Sequence, residues 1–200
     1  IVLLIDEYDC QLTANINNPD LYGDFKDCLR EFYGAIKGKA AIRFLGVTGV
    51  TRLKNVSIFS VGSDINDITN DSTYSQLIGF TKDEIRKFYL DYLKLATAYE
   101  YNINEDNVTD EQLESMLDKL AQNYDGYCFD EDYEKKVFST WSVNNFFQNV
   151  YKKKKVQFGE YWYSNGGVPS ILANYLTSHE LKIFDFLNKK FPTETACDFD

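Results

Sequence analysis

The run Ile1-Val-Leu-Leu-Ile5, followed at once by Asp6-Glu7, constrains this 200-residue chain more than any other feature. Five consecutive apolar residues, three of them β-branched, have the composition of a strand covered on both faces in a parallel sheet. The run stops at two adjacent carboxylates, so a central strand would deliver charge at its C-terminal end. In open parallel sheets that end is where ligands bind. One carboxylate there suits a magnesium ion, directly or through water, while its neighbour suits the water that attacks a γ-phosphate. Asp6 fits the metal role and Glu7 the water role. The competing reading is a strand end whose acids solvate a turn or cap the next helix.

Downstream, Phe25, Cys28, Leu29, Phe32, Tyr33 and Ile36 recur at helical spacing from Leu21, and Gly38 stands where a helix would end. Ala40 to Val47 then reads as a second apolar strand. Strand, helix, strand is the order of a parallel crossover unit, so the first part is α/β. Residues 48–80 are rich in Ser, Asn, Asp, Thr and Gly and read as a long surface loop. Beyond it the character changes. Thr81-Lys-Asp-Glu84 and Thr109-Asp-Glu-Gln112 are capping boxes. The first opens a helix with Ile85, Phe88, Tyr89, Tyr92 and Leu93 on one face, and the second a helix with Leu113, Met116, Leu117 and Leu120. Tyr124-Asp-Gly-Tyr127 reads as a turn clamped by its rings, Lys136 to Ser139 as a short strand, and Trp141 to Val150 as a helix. Further helices are expected near 170–176 and 180–191. These signals divide the chain into an α/β part, residues 1–75, and a mainly helical part, residues 76–200.

Composition removes several classes of function. With Lys+Arg 21 against Asp+Glu 31 the net charge is -10, which disfavours direct nucleic-acid binding or an anionic-membrane surface. No apolar run approaches the ~20 residues that span a bilayer, and the opening run lacks the flanks of a secretion signal. Four cysteines far apart and one histidine, His179, exclude a structural zinc site of the usual spacing. A reducing, cytoplasmic compartment is expected. Without an initiating Met, and opening inside an apolar run, the chain is expected to be a piece of a longer protein.

The run Leu4-Ile-Asp-Glu-Tyr-Asp9, then Arg30-Glu-Phe-Tyr33 with Lys37, Val47-Thr-Gly-Val-Thr-Arg52, Ser57-Ile-Phe-Ser60, Asp67-Ile-Thr69, Gly79-Phe-Thr81, Tyr124-Asp-Gly-Tyr127 and Trp141-Ser142 resembles the predicted AAA-ATPase-like family. The segments occur in that family in the same order, so the resemblance covers nearly the whole chain. It implies part of a P-loop NTPase core entered at its Walker B strand, then a helical lid and winged-helix region, often joined to a PD-(D/E)XK nuclease-like domain. It implies ATP and Mg²⁺ as cofactors, with Asp6 at the metal, Glu7 as catalytic carboxylate, and Thr48, past the sensor-1 strand, touching the γ-phosphate or attacking water. Arg52 is the nearest cation, placed to stabilise a transferring phosphoryl group. Read without the resemblance, Thr48 is equally a turn residue before Gly49, and Arg52 a surface arginine.

The phosphate-gripping signature G-x-x-x-x-G-K-[ST] does not occur in this sequence. Gly34-Ala-Ile-Lys-Gly-Lys-Ala40 has one residue too few between its glycines and reads as a helix stop. In the family the phosphate loop lies upstream, so this segment by itself is expected to bind ATP poorly. Lys152 to Lys155 reads as a solvated helix end, with a basic patch as the alternative. The function expected is therefore ATP hydrolysis that drives a conformational switch in the complete protein. The alternative is an inactive interaction scaffold, binding protein through its helical part and serving a fused nuclease.

Overall fold

A computed structural model describes residues 1–50 and 65–161. Within them the chain is mixed α/β, with two small sheets and six α-helices, and it forms two compact units that meet in sequence between Asp67 and Ile68. The helices expected near 170–176 and 180–191, and His179, lie outside the described residues.

In the first unit, strand β1 (Val2–Ile5) leads through a short helix α1 (Cys10–Ala14) and a long helix α2 (Pro19–Ile36) to strand β2 (Phe44–Val47). The two strands are parallel, Val2 opposite Phe44 and Ile5 opposite Val47, so the expected crossover unit is present. Helix α2 begins where the Asn18 side chain accepts the Leu21 N–H, with Pro19 in the first turn where its missing N–H costs nothing. It ends before Gly38, whose φ of +64° turns the chain out of the helix, as the helix-stop reading of that segment requires. Leu12 and Tyr33 form the buried centre, with Ile5, Tyr8, Phe25, Leu29, Ile36, Val47 and Ile65 packed around them.

Two expectations need correction here. Strand β2 is shorter than the run from Ala40, because residues 39–42 are folded into a turn closed by the Ile42 N–H on the Lys39 carbonyl, 2.9 Å. Among the described residues strand β1 is covered on one face rather than two. Side chains alternate across a strand, so Leu3 and Ile5 are half-buried while Val2 and Leu4 face outward, Leu4 being 72% exposed.

The second unit runs from α3 (Lys82–Phe88) and α4 (Leu90–Tyr101) through a 3₁₀ turn (Glu105–Asn107) to α5 (Asp110–Tyr124), the antiparallel strands β3 (Asp125–Cys128) and β4 (Lys136–Phe138), and α6 (Thr140–Lys153). Both capping boxes close reciprocally. Glu84 N–H reaches Thr81 Oγ1 at 3.2 Å while Thr81 N–H reaches Glu84 Oε2 at 2.8 Å, and that backbone bond holds the Glu84 carboxyl below its ordinary range. Thr109 and Gln112 repeat the pattern on α5. The expected apolar face of α5 is the core: Leu113, Met116, Leu117 and Leu120 are buried with Ile85, Leu93, Val143, Phe146 and Val150. Helix α6 ends at Lys153, with Lys152 and Lys153 in the last turn and Lys154 in the left-handed conformation, as the helix-end reading of the lysine run requires.

The single helical face drawn from Ile85 to Leu93 is not observed, because the helix breaks at Tyr89 (φ −112°, ψ 19°) and the phase is reset. Ile85 and Leu93 are buried, but Phe88 is 67% exposed. The Tyr89 ring stacks on Phe147 at 5.4 Å and its hydroxyl donates to Asn144 Oδ1 at 2.6 Å, so the break aims an aromatic side chain at α6.

Tyr124-Asp-Gly-Tyr127 is likewise not a turn. Tyr124 closes α5, and Asp125–Cys128 is a strand whose register slips between Asp125 and Tyr127, placing Gly126 in the irregularity. The turn falls at residues 129–135, where the buried Asp130 carboxylate accepts the N–H groups of Glu134 (3.2 Å) and Lys135 (3.1 Å) and the Cys128 thiol (2.9 Å). On the other edge of β4, Phe80 and Phe138 exchange backbone hydrogen bonds of 3.2 and 2.8 Å. Gly79 permits this approach: at φ +113° a Cβ would stand 2.6 Å from the Val137 side chain. Among the described residues no helix is long and apolar enough to cross a membrane.

The fully buried Leu117 gives the first expected outcome: Leu117→Ala destabilises the chain by about 2–5 kcal/mol in urea unfolding, transfer and cavity losses adding. Asp130 gives a pH dependence. The Cys128 thiol and the two amides hold its carboxyl below the ordinary range. Its stabilising contribution is therefore complete above the unfolded carboxylate pKa of about 4 and is lost as pH falls through the lower native value. Unfolding measured against pH should show this acid slope flattened in Asp130→Asn.

Candidate functional site

The ladder between β1 and β2 does not stop at the strand ends. Thr48 N–H bonds the Ile5 carbonyl at 2.8 Å, and the Thr48 carbonyl accepts the Tyr8 N–H at 3.0 Å. Asp6 and Glu7 lie between these two rungs, at the C-terminal end of the parallel pair. The Thr48 hydroxyl donates to Asp6 Oδ1, and the Glu7 N–H approaches Thr48 Oγ1 at 3.4 Å. The adjacent residues Asp6 and Glu7 thus share the hydroxyl of a residue that lies 42 positions beyond Asp6 in sequence.

Glu7 adopts a φ of +52°, a left-handed conformation uncommon for a residue with a side chain. The twist folds the chain from strand into α1 through a turn closed by the Cys10 N–H on the Glu7 carbonyl, 3.0 Å. It also leaves both carboxylates exposed beyond the strand end instead of alternating across the sheet. Beneath them Tyr8 is rooted in the Leu12–Tyr33 core. Burial, then the neighbouring Tyr8, pushes the Tyr33 phenol up to about 12, so it stays neutral.

Three further residues shape this turn. Asp9 is buried, and its Oδ1 accepts the Val50 N–H at 3.1 Å. Gly49 passes so close to the turn that a Cβ would lie 2.4 Å from the Tyr8 ring and 2.8 Å from Asp9 Oδ1. Sequence reasoning singled out Asp6, Glu7 and Thr48 but not Tyr8, Asp9 or Gly49. The signal for Asp9 was the third acid of Asp-Glu-Tyr-Asp, and for Gly49 its place directly after Thr48. Arg52 lies outside the described residues.

The donor set consists of two exposed carboxylates and a hydroxyl, all hard oxygens, the chemistry that suits Mg²⁺ held by one or two protein groups with substrate phosphates. Among the described residues no group of three or more His, Cys, Asp or Glu is placed to hold a metal alone, so an all-protein cage is not built here. The residues fit the metal end of a nucleotide site. No phosphate-gripping glycine loop accompanies them in the sequence.

Residues 1–59, which include both strands and the Asp6–Glu7–Thr48 group, match the family model described as predicted AAA-ATPase. The chain is also similar to an uncharacterized protein in the vnfD 5' region of Azotobacter chroococcum mcd 1, at 28% identity over 179 residues. That alignment covers 88% of this chain and 29% of the relative, so the chain spans less than a third of that protein's length. No solved structure matches.

The close approach at Gly49 has a measurable consequence. Gly49→Ala must push the Tyr8 ring or the Asp9 carboxylate aside and should cost about 1–3 kcal/mol in denaturant unfolding. Gly23→Ala, in α2 with nothing within 4 Å of the added methyl, is the matched control and should be neutral or stabilising by up to about 1 kcal/mol.

Proposed function

We propose that residues 1–50 contribute the magnesium and water-activating side of an ATP-hydrolysing site in an AAA-ATPase-like protein. The observation that carries this reading is the Asp6–Glu7–Thr48 cluster, assembled at the C-terminal ends of two parallel strands inside the segment that matches the predicted AAA-ATPase model. Mg²⁺, when bound with ATP, supplies charge neutralisation on the phosphoryl oxygens. Asp6 would hold it. The Thr48 hydroxyl, already bonded to Asp6, fixes the orientation of that carboxylate.

Glu7 stands one residue further out, on a backbone whose left-handed turn presents its carboxylate to solvent beside Asp6. In this role it orients the attacking water and accepts its proton, and the Glu7 N–H on Thr48 Oγ1 keeps both groups in one frame. Arg52 would supply positive charge toward the transferring group. The phosphate grip would come from sequence outside this segment, and hydrolysis would drive a conformational switch in the whole protein, including its helical part and any fused nuclease-like domain.

The test uses protein expressed from the complete reading frame. Glu7→Gln should lower kcat for magnesium-dependent phosphate release by about 10²–10⁴-fold while Mg·ATP affinity stays within a few-fold of the parent. Equal hydrolysis in parent and Glu7→Gln removes Glu7 from this role. A parent that neither binds nor hydrolyses ATP supports the alternative, a catalytically inactive scaffold that binds protein through its helical part.

A further inference from the structure

Among the described residues two carboxylates are buried, Asp9 at 1% and Asp130 at 4% exposure. Asp130 ties the β3–β4 turn. Asp9 belongs to the acidic turn, yet neither the metal role nor the water role uses it. It occupies the N-cap position of α1, where an aspartate ordinarily turns its carboxylate onto the amides of its own helix. Here it makes no such bond. Its Oδ1 accepts the N–H of Val50, across 41 positions of sequence.

The backbone explains the diversion. Ile5 and Tyr8 still pair with Thr48 through main-chain groups. The positive φ of Glu7 then carries the segment after β1 away into α1, so the main chain leaves the line of β2 before Val50 is reached. The Asp9 carboxylate takes the rung that the departing main chain would have filled. A buried carboxylate is costly unless hydrogen-bonded, and a bond from a backbone N–H to a charged oxygen is stronger than a neutral one. Gly49 is shaped to the same contact, since a methyl there would meet both the Tyr8 ring and Asp9 Oδ1.

We infer that Asp9 is a positioning residue that locks the outgoing Thr48-Gly49-Val50 segment onto the acidic turn and thereby holds the Thr48 hydroxyl against Asp6. Its consequence for hydrolysis rests on the nucleotide-site reading above; the lock itself does not.

The experiment is site-resolved amide hydrogen exchange on protein expressed from the complete reading frame, with hydrolysis measured on the same samples. Asp9→Ala should speed exchange at Val50 about tenfold, with the amides of β1 and α2 unchanged. Asp9→Asn keeps a carbonyl acceptor and should retain most of the Val50 protection. Under the nucleotide reading, kcat in Asp9→Ala falls roughly tenfold or more with KM for Mg·ATP within about twofold, and Asp9→Asn recovers it. Unchanged Val50 exchange in Asp9→Ala overturns the lock, as does equal loss of protection in both variants. Faster exchange throughout β1 and α2 in both variants also overturns it, since Asp9 would then be a general packing residue. Faster Val50 exchange with undiminished kcat overturns the positioning role. If even the parent protein lacks hydrolysis, faster Val50 exchange confined to Asp9→Ala still supports the lock, while the nucleotide reading fails.

Discussion

Thr48 is held by four hydrogen bonds that all reach back to residues 5–8: its N–H to Ile5, its carbonyl from Tyr8, and its hydroxyl shared between Asp6 and the Glu7 N–H. The geometry at the C-terminal end of the β1–β2 pair depends on this junction. Parallel pairing brings the strand ends side by side, and a threonine there has both main-chain groups and a side-chain hydroxyl to give. The Asp6 carboxylate and the Glu7 main chain are thereby fixed in relation to β2 and not merely to their own strand. Two carboxylates on a free strand end would sample many arrangements. Tied through Thr48, the Asp6 carboxylate and the Glu7 main chain are held in one arrangement.

The second unit is specified by different means. Its core is apolar and non-directional, so helix ends and crossings must be set by polar groups at its margin. The two capping boxes fix where α3 and α5 begin, and Lys82 and Arg86 of α3 pair with Asp110, Glu114 and Asp118 of α5. Those pairs are exposed and add register more than stability. Tyr124 makes the stronger tie: its hydroxyl accepts the Gly159 N–H at 2.9 Å and donates to the Gly159 carbonyl at 3.2 Å. Its ring packs against Phe146, Phe158 and Tyr161, so the chain beyond α6 returns to the end of α5.

Features carried by adjacent residues were legible in the sequence. Capping boxes, the Gly38 helix stop and the apolar stripe of α5 are local patterns, and each stands where the spacing puts it. The pairing of β1 with β2 also followed from the order of elements, because a crossover helix leaves few alternatives. The break at Tyr89 was not legible, since unbroken helical periodicity runs through it, whereas the contacts of that ring with Phe147 and Asn144 join residues far apart in sequence. Tyr124-Asp-Gly-Tyr127 misled for a related reason: Asp-Gly is a turn signal in isolation, but here the partner strand β4 draws it into a bulged ladder.

At the candidate site the division is sharpest. The amino-acid order by itself determined that an apolar strand would end in Asp6-Glu7 and that Thr48 would follow a second strand, because residue type and spacing are properties of the chain. Only the tertiary structure decided that Thr48 meets Asp6, that Glu7 turns left-handed, and that Asp9 abandons its own helix for Val50. The first and the last of those choices are made by hydrogen-bonding groups about forty residues apart, which become neighbours once two strands pair in one register.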